Sequence, residues 1–392
     1  MNKMIYMDNA ATTPVKDEVL EEMLPYFNNE YGNPSSVYSL AQTSKVAVDK
    51  AREKVAKEIG ARKDEIYFTA SGSESDNWAI KGIAYKHKEK GNHIITSKIE
   101  HHAVLHTCQY LEKNGFEVTY LDVDEDGMVD LEQLRASIKD TTILITIMAA
   151  NNEMGTIEPV KEIGEIAKEK DVIFHTDAVQ AMGSLRLDVK AMNIDLLSLT
   201  AHKIYGPKGV GALYIKKGIR LDSLIEGGGQ EKRKRAGTEN VPGIVGLGKA
   251  MELAYENLEE KNEKMIKLRD SLIEKIENNI EDIKLNGHRT KRLPNNVNIS
   301  FKYIEGESLL LSLDMAGIAA SSGSACTSGS LDPSHVLMSM GLSHEIAHGS
   351  LRLSLGSFTK EEDIDYVVEE LVSIVDRLRR MSPIYDKLEE VN

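Results

Sequence analysis

Short apolar runs alternate with helical stretches between Glu65 and Lys216. The runs are rich in β-branched and aromatic residues, which favour strands, while the intervening stretches have a helical pattern. This alternation predicts an α/β fold with an open, mainly parallel sheet and helices on both faces. Ligands bind such sheets at the carboxyl ends of the strands. The seven predicted strands lie in EIYFTA, HIITSK, EVTYLDV, TILITIM, DVIFHTD, DLLSLTAHK and VGALYIKK.

The pattern becomes long and helical from Gly243 to about Lys284, where apolar residues recur three and four positions apart. We interpret this segment as an amphipathic packing helix. After it come a strand in VNISFKY, a helix over residues 307–316, a Ser/Gly-rich stretch over residues 321–330, a strand in SLRLSLG and a final helix. This order of elements predicts a smaller α+β domain.

Length and charge narrow the class of protein. A chain of 392 residues with 41% hydrophobic residues exceeds one ordinary core, so two packed units are expected. The predicted boundaries are residues 15–260 for the large domain, and residues 1–14 with 261–392 for the small domain. The formal net charge of -14 disfavours binding to nucleic acid and to anionic membranes.

Signals for export or membrane insertion are not recognisable in the sequence. No apolar stretch reaches about 18 residues, and the N-terminal segment MNKMIYMDNAATTPV lacks the apolar core of a signal peptide. We therefore expect a cytoplasmic protein without a membrane or nucleic-acid partner. The two cysteines, Cys108 and Cys326, are too few for a disulfide framework or a cysteine metal site.

A lysine follows one of the predicted strands in DLLSLTAHKIYGPKGVG, which places His202 and Lys203 at the end of the strand. An amine there is suited to capture a carbonyl group, although most lysines after strands are solvated loop residues. The preceding strand ends in Asp177, and Gln180 follows three residues later. Asp177 is suited to pair with a pyridine nitrogen, and Gln180 to donate to the ring oxygen. As an alternative, Asp177 could cap the helix that follows it, but that role would not explain the lysine after the next strand.

Two further segments place polar groups at strand ends. FTASGSESDNWAIKG combines a strand, a Gly/Ser turn and a helix start, so Gly72 and Ser73 are candidate phosphate contacts. KIEHHAVLH brings His101 and His102 to another strand end, where an imidazole is able to stack on a ring and move protons. With His106 the pair also permits a metal site, but the spacing fits no known zinc pattern.

Cys326 lies among small residues in SSGSACTSGSLDPSHV, surroundings that are rare for a buried structural cysteine. The composition favours a nucleophile on a mobile loop, although a lone cysteine is more often inert. Cys108 lies at helical spacing in HTCQYLEK and is expected to be a buried apolar residue.

Taken together, these segments resemble the cysteine desulfurases of the NifS/IscS kind, which are fold type I pyridoxal-phosphate enzymes of the class V aminotransferase family. The resemblance covers nearly the whole chain and keeps the order of the family's motifs. It rests on YMDNAATTPV, YGNPSS, ASGSESDN, EHHAVL, NNEMGTI, HTDAVQ, TAHKIYGPKG, GGGQEKRKRAGTEN, SSGSACTSGSLDPSHVL and SLRLSLG. The resemblance implies a fold type I transferase with a large sheet domain and a small domain that carries the cysteine loop.

The resemblance also implies roles for individual residues. Lys203 would hold pyridoxal 5'-phosphate as a Schiff base, Asp177 would pair with its pyridinium nitrogen, and His101 would stack on its ring. Gln180 and Asn152 would face the ring and the substrate. The phosphate would be held by Gly72, Ser73, Thr200 and His202, with Thr238 supplied by the second subunit of a homodimer.

The reaction that the resemblance implies removes sulfur from L-cysteine. Arg352 and Asn152 would bind the substrate, with Arg352 on its carboxylate, and Cys326 would take the sulfur as a persulfide and leave L-alanine. The sulfur would pass to an acceptor such as an iron–sulfur cluster scaffold or a tRNA thiolation protein. No intrinsic metal site is expected, although Cys326 could transiently ligate a shared iron–sulfur cluster.

Two other classes of protein remain alternatives. Another fold type I enzyme, such as an aminotransferase or a selenocysteine lyase, would share Lys203 and Asp177 but needs no thiol nucleophile. A sulfur carrier or scaffold would keep the fold without catalysis, and the joint presence of Lys203, Asp177, His101, Cys326 and Arg352 argues against that.

Overall fold

The computed structural model describes residues 4–322, 333–382 and 385. Its strands, in chain order, are β1 (Ile5–Tyr6), β2 (Ile66–Thr69), β3 (His93–Ser97), β4 (Glu117–Leu121), β5 (Thr142–Thr146), β6 (Ile173–Asp177), β7 (Leu196–Thr200), β8 (Gly211–Ile215), β9 (Ile283–Leu285), β10 (Asn296–Phe301), β11 (Ile318–Ala319) and β12 (Ser350–Ser354).

The α-helices lie before, between and after these strands. They are α1 (Asp17–Met23), α2 (Pro25–Asn28), α3 (Ser39–Glu58), α4 (Gly72–Lys86), α5 (His102–Glu112), α6 (Leu131–Ser137), α7 (Val160–Glu169), α8 (Gln230–Arg233), α9 (Val241–Tyr255), α10 (Leu258–Asn279), α11 (Gly306–Met315), α12 (His335–Ser339), α13 (His344–His348) and α14 (Glu361–Arg380). None of the helices in the described residues is long and apolar enough to cross a membrane.

The large sheet has seven strands in the order β2-β8-β7-β6-β5-β3-β4. Neighbouring strands from β7 to β4 run parallel, whereas β8 runs antiparallel to both of its neighbours. Side chains on the central strands are buried on both faces, which explains why these strands read as continuous apolar runs in the sequence. The predicted mainly parallel α/β sheet is confirmed.

The long helical segment after Gly243 differs from the prediction. It consists of two helices, α9 and α10, that are separated at Glu256 and Asn257. Asn257 has a φ of 51°, in the left-handed region, so the chain turns there instead of continuing one helix. The apolar spacing runs through the turn and therefore gives no sign of it.

A smaller group of elements forms a second hydrophobic core. In it, β10 pairs antiparallel with β9 and β12, and β1 pairs parallel with β11. Met7, Leu272, Val297 and Leu353 are buried in this core, together with one face of α14. The N-terminal residues thus pack with the C-terminal part of the chain. The domain limits at residues 15 and 260 stay a prediction.

Candidate active site

A cavity of about 380 Å³ opens at the carboxyl ends of β6 and β7 and at the N-termini of α4 and α5. The chain brings ten of the predicted site residues to its wall. They are Gly72, Ser73, His101, Asn152, Asp177, Gln180, Thr200, His202, Lys203 and Arg352. Because these residues come from widely separated parts of the chain, their meeting at one cavity is a property of the fold and not of local sequence.

Lys203 ends a short 3₁₀ turn, Ala201–Lys203, that follows β7. Its Nζ donates to the carbonyl oxygens of Ala10 and Ala11, the latter at 2.8 Å. The side-chain amide of Gln180 also donates to the Ala10 oxygen, at 2.9 Å. The N-terminal segment therefore holds both side chains at the cavity.

Asp177 is the last residue of β6, and its carboxyl is almost completely buried. Oδ1 accepts a hydrogen bond from the backbone N–H of Val179 at 2.9 Å. Burial raises the pKa of Asp177 to about 6, while the Val179 hydrogen bond and the charge of Lys203 oppose that rise. A cationic group bound in the cavity would favour the ionised carboxylate further.

The start of α4 supplies the candidate phosphate site. Ser71 is the N-cap, and its Oγ accepts from the backbone N–H of Glu74 at 3.1 Å. A Cβ atom on Gly72 would lie 2.6 Å from Cγ2 of Val179, so the glycine keeps the backbone close to the turn that follows β6. The N-terminus of a helix attracts anions, and Gly72 and Ser73 line the cavity at this end.

Two other predicted phosphate contacts have partners in the protein. The hydroxyl of Thr200 donates to the Val210 carbonyl at 3.0 Å, and Nδ1 of His202 lies 3.2 Å from Oγ1 of Thr12. Burial, followed by the charge of Lys203, lowers the pKa of His202 to about 4. His202 is therefore neutral at pH 7 and contributes hydrogen bonding without a charge.

His101 is the N-cap of α5, and its Nδ1 accepts from the backbone N–H of Ala103 at 3.1 Å. This hydrogen bond assigns the hydrogen of the neutral ring to Nε2. Burial, followed by the charge of Lys203, lowers the pKa of His101 to about 4. A neutral ring with a hydrogen on Nε2 is suited both to stack on an aromatic ring and to donate a hydrogen bond.

Arg352 on β12 is the guanidinium that the small domain contributes to the cavity wall. Nη1 donates to the Asn152 carbonyl at 2.9 Å, and Nη2 pairs with Asp8 at 3.0 Å. The side chain is buried, and its Nε has no hydrogen-bond partner among the described residues. A buried donor without a partner favours an anionic group at this end of the cavity.

Sequence reasoning missed several cavity residues, including Asp76, Glu153 and His335. Asp76 is buried and, through burial and the nearby charge of Asp177, has a pKa well above its usual range. Glu153, whose pKa burial raises to about 7, accepts a hydrogen bond from Ser334. Asp76 and Glu153 lie within the motifs ASGSESDN and NNEMGTI, so their place in those motifs was the available signal.

One predicted site residue in the described part of the chain does not line the cavity. Thr238 is exposed, on the loop between α8 and α9. Cys326 lies outside the described residues. The other cysteine, Cys108, is buried in α5 as predicted, and burial raises the pKa of its thiol beyond the ordinary range.

The sequence also permits a metal site at His101, His102 and His106, the three histidines of EHHAVLH. The rings of His102 and His106 stack with centroids 4.7 Å apart, and the centroid of the His335 ring lies 4.7 Å from that of His102. Within the described residues, no group of three or more His, Cys, Asp or Glu side chains has a geometry that would hold a metal ion.

The family model for class-V aminotransferases matches residues 5–367. The chain belongs to the class-V aminotransferase family. It is 64% identical over 388 residues to a "Cysteine desulfurase IscS" of Clostridium botulinum, with 98% of both chains covered. It is 62% identical to one of Methanosarcina thermophila, over 98% of this chain and 95% of that one.

Solved structures give the same relationship for this family member. A NifS-like protein superposes with a TM-score of 0.90 at 41% identity, over 96% of this chain and 100% of that one. A structure described as SspA in complex with cysteine has a TM-score of 0.78 at 40% identity, over 91% and 100% of the chains. The family resemblance and the fold inferred from the sequence are confirmed.

Proposed function

We propose that the chain is a pyridoxal-phosphate-dependent cysteine desulfurase that moves the sulfur of L-cysteine to Cys326 and releases L-alanine. The observation that carries the proposal is the meeting of Lys203, Asp177 and Arg352 at one cavity. An amine, a buried carboxylate and a guanidinium are the groups needed for a carbonyl cofactor and an amino-acid substrate. The names of the relatives support cysteine as that amino acid.

The residues of the cavity fit the cofactor. The backbone at Gly72 and the N-terminus of α4 suit a phosphate group. The carboxylate of Asp177 suits a protonated pyridine nitrogen. Lys203 lies at the same cavity and provides the amine for a covalent bond to an aldehyde. When bound, pyridoxal phosphate supplies an electron sink for charge that develops on the substrate.

Arg352 is suited to orient the substrate through its carboxylate. The buried guanidinium already holds Asp8 at 3.0 Å, and its Nε lacks a partner among the described residues. A substrate carboxylate would therefore bind beside Asp8 or replace it as the partner of Arg352. Asn152 lines the same cavity, and its backbone carbonyl accepts from Arg352, which holds the Asn152 backbone beside the guanidinium.

His101 is suited to take part in proton transfer at the face of the cofactor ring. Because the pKa of its imidazole is lowered to about 4, the ring is neutral at physiological pH. Its Nε2 hydrogen can be donated, and acceptance of a proton on Nδ1 requires the hydrogen bond from Ala103 to break. The neutral ring can therefore donate a hydrogen bond through Nε2, and it can act as a base once Nδ1 is released from the Ala103 hydrogen bond.

Cys326 is proposed as the sulfur acceptor from its place in the family motif. In the transfer, the carbon–sulfur bond of L-cysteine breaks, and a sulfur–sulfur bond to Cys326 forms. The carbon keeps the bonding electrons and takes a proton to give L-alanine, so the carbon is reduced and the sulfur oxidised. On either side of the undescribed segment, Ser321 bonds to the backbone of Arg352, and Ser334 bonds to Glu153.

A homodimer and a sulfur-accepting protein, such as an iron–sulfur scaffold, complete the proposal. Thr238 is exposed and does not line the cavity of its own chain, so a role in phosphate binding requires it to reach the cavity of a second copy. An isologous pair satisfies both sites at once. Several large apolar side chains between α1 and α3 are exposed, among them Phe27, Tyr31 and Val37.

The proposal is tested by adding L-cysteine and a thiol reductant to the purified protein that carries pyridoxal phosphate. We expect equal amounts of alanine and sulfide, without any 2-oxo acid. An aminotransferase would instead need a 2-oxo acid and would keep the sulfur on its product. Borohydride reduction followed by peptide mapping is expected to place the pyridoxyl group on Lys203, and its recovery on another lysine would contradict the assignment.

A further inference from the structure

A second cavity, of about 290 Å³, lies where the N-terminal segment, α9, α10 and residues 355–359 meet. It shares Lys203 with the candidate active site, because this residue lines both cavities. Asn9 lines the second cavity, whereas the next two residues, Ala10 and Ala11, line the first. The segment of residues 9–11 is therefore part of the wall between the two cavities.

The charge of this second cavity is opposite to that of the whole chain. Four lysines line it: Lys16, Lys203, Lys261 and Lys264. Among the described residues, no aspartate or glutamate belongs to the lining. In a chain whose formal net charge is -14, such a lining marks a local concentration of positive charge. A concave surface that carries charge of one sign attracts ions of the other sign.

Two of these ammonium groups are held in place. Nζ of Lys16 lies 4.8 Å from the centre of the Tyr205 ring, within the range of a cation–π contact. Nζ of Lys261 donates to the Leu253 carbonyl at 2.7 Å. Burial lowers the pKa of Lys261, and the charge of Lys16 lowers it further, so the two cations repel each other. An anion bound between them would remove this repulsion.

Carboxylates outside the lining compensate Lys261 in part. Glu256 and Glu260 both raise its pKa, although neither side chain lines the cavity. The remainder of the wall is largely apolar and includes Met182, Leu253 and Leu268. Inorganic phosphate would leave this apolar surface in contact with water. The lining therefore favours a ligand with an apolar body as well as a negative charge.

We propose that this cavity is a second ligand site, which binds a small organic anion with an apolar body, such as an aromatic or aliphatic carboxylate or sulfonate. Lys16, Lys261 and Lys264 supply the positive charge, and Met182, Leu253 and Leu268 contact the body of the ligand. The proposal does not rest on the proposed desulfurase reaction, although the cavity borders the candidate active site at Lys203. Its volume limits the ligand to the size of a small metabolite.

The probe for the test is 8-anilinonaphthalene-1-sulfonate, added to the purified full-length protein with pyridoxal phosphate bound. Calorimetry is expected to show saturable binding of one probe per chain. The double variant Lys16→Gln with Lys264→Gln is expected to bind the probe about tenfold more weakly, because two positive charges are lost. Higher salt is expected to weaken the binding to the wild type.

The matched control is the double variant Lys45→Gln with Lys267→Gln, which removes two exposed lysines that do not line the cavity, one of them on α10. This control is expected to bind the probe as the wild type does. N-phenyl-1-naphthylamine, which has the same rings without the sulfonate, is expected to bind more weakly than the probe. Equal binding of the probe by the two double variants, or of the two compounds by the wild type, would overturn the proposal.

Discussion

Three acidic side chains in or near the candidate active site show how burial raises the pKa of a carboxyl group. Asp76, Glu100 and Asp177 are buried, and burial raises the pKa of each carboxyl. Lys203 opposes this effect at Asp177, whereas no cation is among the causes that act on Asp76. His175 lies 3.7 Å from Asp76 but, with a pKa lowered to about 3, carries no charge at pH 7. Asp76 is therefore expected to hold its proton more strongly than Asp177 does.

This difference predicts opposite outcomes for two similar substitutions. Asp76→Asn replaces the carboxyl that holds its proton more strongly by a neutral amide, and it is expected to change the affinity for pyridoxal phosphate by less than about threefold. Asp177→Asn removes the negative partner of the protonated pyridine nitrogen. This change is expected to weaken cofactor binding by on the order of 2–5 kcal/mol. Equilibrium dialysis of the two variants measures both affinities. Equal losses would show that Asp76 is charged as well.

Residues at motif positions were predictable from the sequence, but their burial was not. Lys203 and Asp177 each follow an apolar strand, so the sequence placed both at the same edge of the sheet. Asp76 and Glu153 also lie within motifs, but they do not follow an apolar strand, and their burial depends on which parts of the chain surround them in the fold. The roles of the ten cavity residues stay predictions until they are tested.

At the scale of secondary structure, the site is built from strand ends and helix starts. β6 and β7 end at the cavity, and α4 and α5 begin there. The strands were predictable because strands buried on both faces must be apolar. The break between α9 and α10 was not, because Asn257 takes its left-handed conformation without interrupting the apolar spacing.

Glu158, on the segment between β5 and α7, has a buried carboxyl outside the candidate active site whose titration can be tested. Its Oε2 accepts from the backbone N–H of Val129 at 3.1 Å, and burial raises its pKa from 4.5 to about 8. Because the folded state then holds the proton more tightly than the unfolded state, stability falls as the pH rises from about 4.5 to 8.

Glu158→Gln removes this titration and keeps a neutral side chain of similar shape. The variant is expected to gain stability relative to the wild type as the pH rises from 5 to 9, by on the order of a few kcal/mol. Thermal unfolding at several pH values measures the gain. Glu162→Gln on the exposed face of α7 is the control and is expected to follow the wild type. A constant difference between Glu158→Gln and the wild type at every pH would contradict the prediction.

At the scale of the whole molecule, the exposed apolar surface points to a second copy of the chain. Phe27 is 60% exposed, Tyr31 is 69% exposed and Val37 is 92% exposed, and the three lie close together in the sequence, as expected of a surface that another chain covers. This surface, and the absence of Thr238 from the lining of the cavity of its own chain, both favour the proposed homodimer.

Phe27→Asp combined with Val37→Asp is expected to convert a dimer into a monomer, because two charges would be buried at the interface. Light scattering after size-exclusion chromatography measures the mass. Met315→Asp, at an 86% exposed residue that ends α11, is the control and is expected to leave the dimer intact. A wild-type monomer that retains full activity at micromolar concentration would rule out a shared site.

The most direct test of the proposed sulfur transfer is mass spectrometry of the protein after treatment with L-cysteine. The peptide that contains Cys326 is expected to carry one added sulfur atom, and Cys108 is expected to carry none because its thiol is buried. Cys326→Ala is expected to bind L-cysteine and change the cofactor spectrum without releasing alanine, while Cys108→Ala is expected to match the wild type. An added sulfur on Cys108, or undiminished alanine release by Cys326→Ala, would contradict the proposed transfer.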